Sequence, residues 1–220
     1  MRNAPGGPEI VLPTLRYPGA RGKMTIRLSL LVLLLFAALP AAAQAPQEGW
    51  IAGARTGCRV WNPRPLPNET ITWTGLCVGG LAQGRGVVQW FKDGKPGGRN
   101  EGEYRDGKAN GRGVHSSPDG SRYEGEYRDG KRAGRGVYSA ADGSSYEGEF
   151  RDGKESGRGV ITWPSGKRYE GQLNDNKANG HGKYVSDNGT VYEGTWSNGC
   201  FRQGNRRAWV GATAEECGFK

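Results

Sequence analysis

From residue 100 to residue 196, aromatic and charged side chains take turns along the chain. Tyr123, Gly125 and Tyr127 alternate with Glu124, Glu126 and Arg128, and Tyr146, Gly148 and Phe150 alternate with Glu147, Glu149 and Arg151. A period of two sends successive side chains to opposite faces, so the pattern predicts strands with one aromatic and one charged face. Asp129-Gly130-Lys131 reads as a tight turn, because Gly readily takes a positive φ. Gly134-Arg135-Gly136-Val137-Tyr138 forms the return strand, and Asp142-Gly143 turns the chain into the next unit. Counterparts of that second turn stand at Pro118-Asp119-Gly120, Pro164-Ser165-Gly166 and Asp187-Asn188-Gly189. Turns this short make successive strands antiparallel neighbours.

The hairpin repeats without slippage. Units begin at Asn100, Tyr123, Tyr146, Tyr169 and Tyr192, each 23 residues after the last. A degenerate sixth copy begins at Trp73, 27 residues before Asn100, with four extra residues around Asp93–Gly98. Each unit carries a Gly-x-Gly pair (84/86, 111/113, 134/136, 157/159, 180/182) inside a strand, where Gly ordinarily weakens pairing. Its recurrence predicts aromatic rings lying over bare backbone. The expected fold is all-β: one elongated, single-layer antiparallel sheet of about six hairpin units, a solenoid with protected ends. Two strands per unit at about 4.8 Å give a length of roughly 55–60 Å.

Composition sharpens this reading. The chain holds 39 Gly and 12 Pro but only 35% hydrophobic residues, too few for a thick two-layer core. Seven Trp, nine Tyr and five Phe argue against disorder. The one strongly apolar run is Leu28–Leu39, with Arg21, Lys23 and Arg27 before it and Pro40-Ala41-Ala42-Ala43 after it. That is the layout of a secretory signal peptide cut after Ala43, in a run too short to span a bilayer comfortably. Residues 1–23 read as a non-translated or disordered leader, with translation from Met24, and 24–43 as the signal peptide. The formal charge of +9 falls to +5 once residues 1–43 are removed. Residues 44–72 then form a linker and N-terminal cap, 73–205 the repeat array, and 206–220 a C-terminal cap. The chain is expected to be exported, periplasmic or secreted.

The unit YEGEYRDGKxxGRGV at a 23-residue period resembles the MORN repeat family over about residues 73–205. The resemblance implies a single-layer sheet of hairpins used as a scaffold or for self-association, and some members are reported to bind acidic phospholipids. Asn100 and Leu173 depart from the pattern at aromatic positions, as does the run after Gly199.

All four cysteines lie outside the regular repeats. Three pairings are formally open. With the array between the two ends, Cys58–Cys77 and Cys200–Cys217 are the pairs expected in an oxidising compartment, stapling the two caps. The C-terminal cap is expected to hold a short helical turn near Thr213–Glu216. No CxxC supports a zinc site, and neither a metal nor a cofactor is expected.

Nothing in the sequence argues for catalysis. GxSxG and GxxxxGK[ST] are absent, so the lysines after Gly107, Gly130 and Gly153 belong to turns. His115 and His181 read as substituted surface positions. Glu124/Glu126 and Glu147/Glu149 resemble catalytic carboxylate pairs but recur in every regular unit. They read as a solvated face cross-paired with Arg128, Arg135, Arg151 and Arg158. No basic stripe of nucleic-acid type is visible.

The expectation is a non-enzymatic envelope scaffold that binds an unidentified envelope protein. The expected contact face is Tyr104, Tyr123, Tyr127, Tyr146, Phe150, Tyr169, Tyr192 and Trp196. The alternative is a peripheral binder of anionic lipid headgroups or envelope glycans, with Arg202, Arg206 and Arg207 touching the membrane surface. Two open sheet edges would also permit self-association.

Overall fold

The computed structural model describes residues 49–219. The leader, the signal peptide and the start at Met24 lie outside them.

Sixteen strands account for most of the described chain, and no helix is among them. β1 (Trp50–Ala52) and β2 (Arg59–Trp61) belong to the N-terminal cap, followed by β3 (Glu69–Trp73) and β4 (Leu76–Val78). β5 (Leu81–Lys92) and β6 (Lys95–Arg105) form a long hairpin that absorbs the four extra residues. The regular units follow as β7 (Lys108–Ser116), β8 (Arg122–Arg128), β9 (Lys131–Ser139), β10 (Ser145–Arg151), β11 (Lys154–Thr162), β12 (Arg168–Asn174), β13 (Lys177–Val185) and β14 (Val191–Trp196). From β5 to β14 each strand pairs antiparallel with the next, in one open sheet of 14 strands. β15 (Cys200–Gln203) and β16 (Arg206–Trp209) form a separate hairpin.

The registers align one residue type across ten strands. Gly86, Gly102, Gly113, Gly125, Gly136, Gly148, Gly159, Gly171, Gly182 and Gly194 are successive cross-strand partners. These glycines leave room for rings. A β-carbon on Gly136 would stand 2.6 Å from the hydroxyl oxygen of Tyr123, and one on Gly159 would stand 2.6 Å from that of Tyr146. Each ring is pinned by the same bond three residues along its own strand: Tyr123 to Glu126 O at 2.9 Å, Tyr146 to Glu149 O at 2.8 Å, Tyr169 to Gln172 O at 2.8 Å. Trp73 does the same with Nε1 to Leu76 O at 2.8 Å, and its indole lies over Gly86. The degenerate unit at Trp73 is therefore built like the regular ones.

The two glycines of each pair do different work. The second lies beneath a ring. The first, such as Gly134 (φ 58°) or Gly157 (φ 66°), is the left-handed residue of a bulge, where the register slips between Gly125 and Glu126 and between Gly148 and Glu149. The Asp129-Gly130 turn has φ of 50° and 80°, positive at both central positions as a type I′ hairpin requires.

The bulge decides how far the rings of this single layer are covered. On an extended strand, residues four apart are separated by about 13 Å. Yet the rings of Tyr146 and Phe150 are 5.0 Å apart, as are those of Tyr123 and the Phe150 of the next unit. The strands bend at the bulge and fold the second aromatic over the first. The turns then dock on the preceding unit: Gly130 N–H donates to Ala109 O, Gly153 to Arg132 O, and Asn176 to Glu155 O, at 2.9, 2.9 and 3.0 Å. Lys131–Asp152 and Lys154–Asp175 pairs run alongside, exposed and individually weak.

Two buried clusters result, one from Cys58 to Tyr104 and one from Tyr123 to Val210. Between them stand Asn100 and His115, polar substitutes for the Tyr123–Tyr138 pair of the next unit.

The C-terminal end leaves the repeat pattern. The main sheet stops at Trp196 because Cys200–Gln203 pairs with β16; the hairpin packs Phe201 against the rings of Tyr192 and Trp196 on β14. Arg206 donates to Val191 O at the start of this edge strand. Thr213–Glu216 forms the short helical turn expected there, with Cys217 N–H donating to Thr213 O at 3.2 Å; it is capped by Glu216 N–H donating to Thr213 Oγ1 at 3.1 Å and Thr213 N–H to Glu216 Oε2 at 2.9 Å. Cys58 bonds Cys77 and Cys200 bonds Cys217, with Cα separations of 5.7 and 5.5 Å, one bridge at each end of the described chain.

Candidate functional site

The aromatic face is the core, not a contact surface. Tyr104, Tyr123, Tyr146, Phe150, Tyr169 and Trp196 are all buried, each 5% exposed or less. Tyr127 and Tyr192 are half-buried and pack against the same cluster. Burial also raises the phenol pKa values of Tyr104, Tyr127 and Tyr146, and those of Tyr123 and Tyr169 to about 12. The bend that closes the core consumes the very rings that the alternating pattern offered to a partner.

The opposite face is open. A groove of about 1050 Å³ runs across β5 to β11 on the charged side. Arg85, Arg112, Arg135 and Arg158 line it, all exposed, one from each unit. Two residues along each strand stands an apolar neighbour, and Val114, Val137 and Val160 line the groove with them. In the register, these valines alternate with Glu101, Glu124, Glu147 and Glu170.

The glutamates do not pair as the sequence suggested. Glu101, Glu124 and Glu170 are held by the arginine two residues earlier on their own strand, Arg99, Arg122 and Arg168, at 2.6–2.9 Å. Glu126 and Glu149, both exposed, accept the bulge N–H groups of Arg135 and Arg158, each at 3.2 Å. Gln172 does the same for His181 at 3.0 Å. The bulge presents an N–H to no strand partner, and a carboxylate or amide oxygen at that position satisfies it. Among the described residues, no ion pair involves Arg85, Arg112, Arg135 or Arg158. Arg151 donates to Asn174 at 2.9 Å instead of to a carboxylate.

His115 is half-buried, not a surface position. Its Nδ1 lies 2.6 Å from Asn100 Oδ1 and its Nε2 2.9 Å from Ser117 Oγ. Burial and the nearby Arg132 charge lower its pKa. No motif spacing announced this row of three; the missing ring at Asn100 was its one trace in the sequence. His181 is exposed.

The three C-terminal arginines are engaged within the cap. Arg202 and Arg207 flank the Phe219 ring at 5.2 and 5.6 Å, and Arg206 lies over Tyr192 at 5.2 Å. Trp209 beside them is 47% exposed. Among the described residues there is no cluster of three metal-ligating side chains, and no helix is long and apolar enough to cross a membrane.

The family model for the MORN repeat matches residues 101–122, 123–145, 146–168, 169–191 and 192–199, five consecutive copies in the phase of the structural units. Residues 101–199 belong to the MORN-repeat family. MORN repeats are generally protein-binding or membrane-binding modules, and the family is a non-catalytic repeat module. No curated protein matches the chain. Among solved structures, the chain resembles the TCP domain of SAS-4 (dCPAP) from Drosophila melanogaster, in complex with a proline-rich motif of Ana2 (dSTIL). Identity is 13%, coverage 72% of this chain and 99% of that one, and the TM-score 0.29. At that score the likeness carries no argument here. The two disulfides suit an oxidising, extracellular-type environment.

Proposed function

We propose that this MORN-repeat protein is a non-catalytic, exported envelope scaffold that holds a protein partner in the groove of its charged face. The observation that carries the reading is the row of Arg85, Arg112, Arg135 and Arg158, exposed and outside every ion pair among the described residues. Its neighbours Glu126 and Glu149 are occupied by backbone N–H groups. Guanidinium groups in a groove beside a valine row can make bidentate contacts with carboxylates and lie against apolar side chains. The groove lining carries five Arg and five Glu, a balance that suits a protein segment of mixed charge rather than a polyanion. Export is supported by the disulfides and by the signal-peptide layout of residues 24–43.

Affinity capture from envelope extract tests this reading. The wild-type chain should retain a protein that the R112E/R135E double variant loses, while R64E, outside the groove, keeps it. Retention of the same protein by the double variant would overturn the groove as the contact surface.

A second reading is peripheral binding to anionic headgroups at the C-terminal end, favoured by exposed Trp209 beside Arg206 and Arg207. Co-flotation with anionic but not neutral vesicles, lost in R206A/R207A, would support it over the groove.

A further inference from the structure

The arginines of the groove stand at a fixed interval. Arg85, Arg112, Arg135 and Arg158 each come immediately before a glycine of the aligned row, on β5, β7, β9 and β11. They are therefore level, one on every second strand. Neighbouring strands lie about 4.8 Å apart, which puts successive arginine backbones about 9.6 Å apart. Val114, Val137 and Val160 each come immediately after a glycine of that row and line the same groove, in a second line of equal spacing. Val137, in the middle, is 42% exposed.

The intervening strands enforce the interval. Glu126 is the cross-strand partner of Arg112, and Glu149 that of Arg135. Bulge N–H groups hold both carboxylates in place, so each stays between two arginines. An anion opposite an arginine is attracted, and one opposite a glutamate is repelled. A run of adjacent acids would meet both, so the row selects one acid for every two strands.

Few backbone conformations offer one acid at that interval on one side. On an extended strand, side chains return to the same side after about 6.7 Å, which matches no two successive arginines. On an α-helix two turns advance about 10.8 Å, a drift of more than about 3 Å over the four arginines. A polyproline II helix has three residues per turn and advances about 9.3 Å, so its drift over the same span is about 1 Å. A flexible arginine side chain absorbs that.

We infer that the groove takes a segment in the polyproline II conformation, laid across the strands, with an acidic residue at every third position. That occupant presupposes the groove as the chain's contact surface. One side of the three-residue turn brings a carboxylate to each arginine, where bidentate pairing is open to it. The second side lays an apolar side chain on Val114, Val137 or Val160, and the third faces water. A conformation without internal hydrogen bonds, largely formed before binding, loses little freedom on docking.

Fluorescence anisotropy with a labelled synthetic peptide, carrying one Glu-Pro-Ala triplet per arginine of the row, tests this occupant. The peptide should bind the purified chain, bind R112E/R135E at least about tenfold more weakly, and bind R64E undiminished. A peptide of the same residues with Glu at alternate positions should bind at least about tenfold more weakly than the triplet peptide, as should one with Lys for Glu. No binding of the triplet peptide up to about 1 mM, or equal binding of the alternate-position peptide, would overturn the spacing. Capture from envelope extract separates the two levels. If R112E/R135E loses the extract protein while the triplet peptide fails, the groove stands and its occupant is of another kind. If R112E/R135E keeps the extract protein, the groove itself falls, and the triplet segment with it.

Discussion

The Tyr146 ring lies directly against the bare backbone of Gly159 in the facing strand. Its hydroxyl donates to Glu149 O at 2.8 Å. A β-carbon at Gly159 would stand 2.6 Å from Cζ of that ring, which is itself 1% exposed and has nowhere to move. Gly159→Ala should therefore destabilise the chain by roughly 1–3 kcal/mol through overpacking. Gly97→Ala meets nothing nearer than 3.4 Å and should be close to neutral. Urea midpoints of the two variants check the contrast.

Removing only the hydroxyl isolates the pin. Tyr146→Phe keeps the ring over Gly159 but leaves the Glu149 carbonyl without its donor, at a cost of about 1 kcal/mol. A loss no larger than the scatter between repeat measurements would show that ring contact alone carries the motif.

Glu149 itself should behave as a structural cap, not as an acid or base. Glu149→Ala frees the bulge N–H of Arg158 and should cost on the order of 1 kcal/mol. Glu149→Gln should restore most of that, because Gln172 caps His181 in the same way one unit later. Thermal melts of the pair decide it: an equal loss in both variants would mean that the charge matters, not the oxygen.

Stability should fall between acid and neutral pH through one residue. Glu155 occupies a position that is Arg132 in the unit before, Ala178 in the unit after and Ala109 two units before. Burial raises its pKa to about 7, against a smaller opposing pull from Arg132. Between the ordinary value of 4.5 and about 7, the folded chain keeps a proton that the unfolded chain has released. The contribution is whole below 4.5 and is lost as pH rises through 7. Glu155→Ala should thus be more stable than wild type at pH 8, by on the order of 1–3 kcal/mol, with the gain shrinking towards pH 5. Equal differences at the two pH values would refute the assignment.

Reduction should loosen the ends before the middle. The Cys200–Cys217 bridge closes a loop with a sequence separation of 17, worth roughly 3 kcal/mol in the chain-entropy account. Cys200→Ala/Cys217→Ala should speed hydrogen exchange in β15 and β16 while β8 to β11 keep their protection, since each unit leans only on its neighbours. Uniform loss along the whole sheet would contradict that picture.

Much of this was legible from residue order. The alternation of Tyr and Gly with Glu and Arg set the strand faces, and Asp-Gly pairs set the hairpins, because φ of both signs is a local property of single residues. The period of 23 ordered the units, and the four cysteines beyond its regular stretch marked the ends. The sixth unit at Trp73 was visible too, although the Trp–Leu76 bond that makes it equivalent to Tyr123–Glu126 was not.

The burial of the aromatic face was not legible for a physical reason. Alternation assigns residues to two sides of a strand but does not say which side is enclosed. In a straight single layer the rings would have stayed half-exposed. The left-handed Gly134 and Gly157 bulges bend each strand, bring Tyr146 and Phe150 to 5.0 Å, and turn the aromatic side into the core.

The sequence by itself determined the architecture: short antiparallel hairpins, their count, their turns and the residues on each face. It could do so because those features rest on contacts within about two dozen residues. Only the tertiary structure decided which face is enclosed. Bending, docking of each turn on the unit before, and the way the two ends close are relations between units. They bury the rings and leave Arg85, Arg112, Arg135 and Arg158 in the groove.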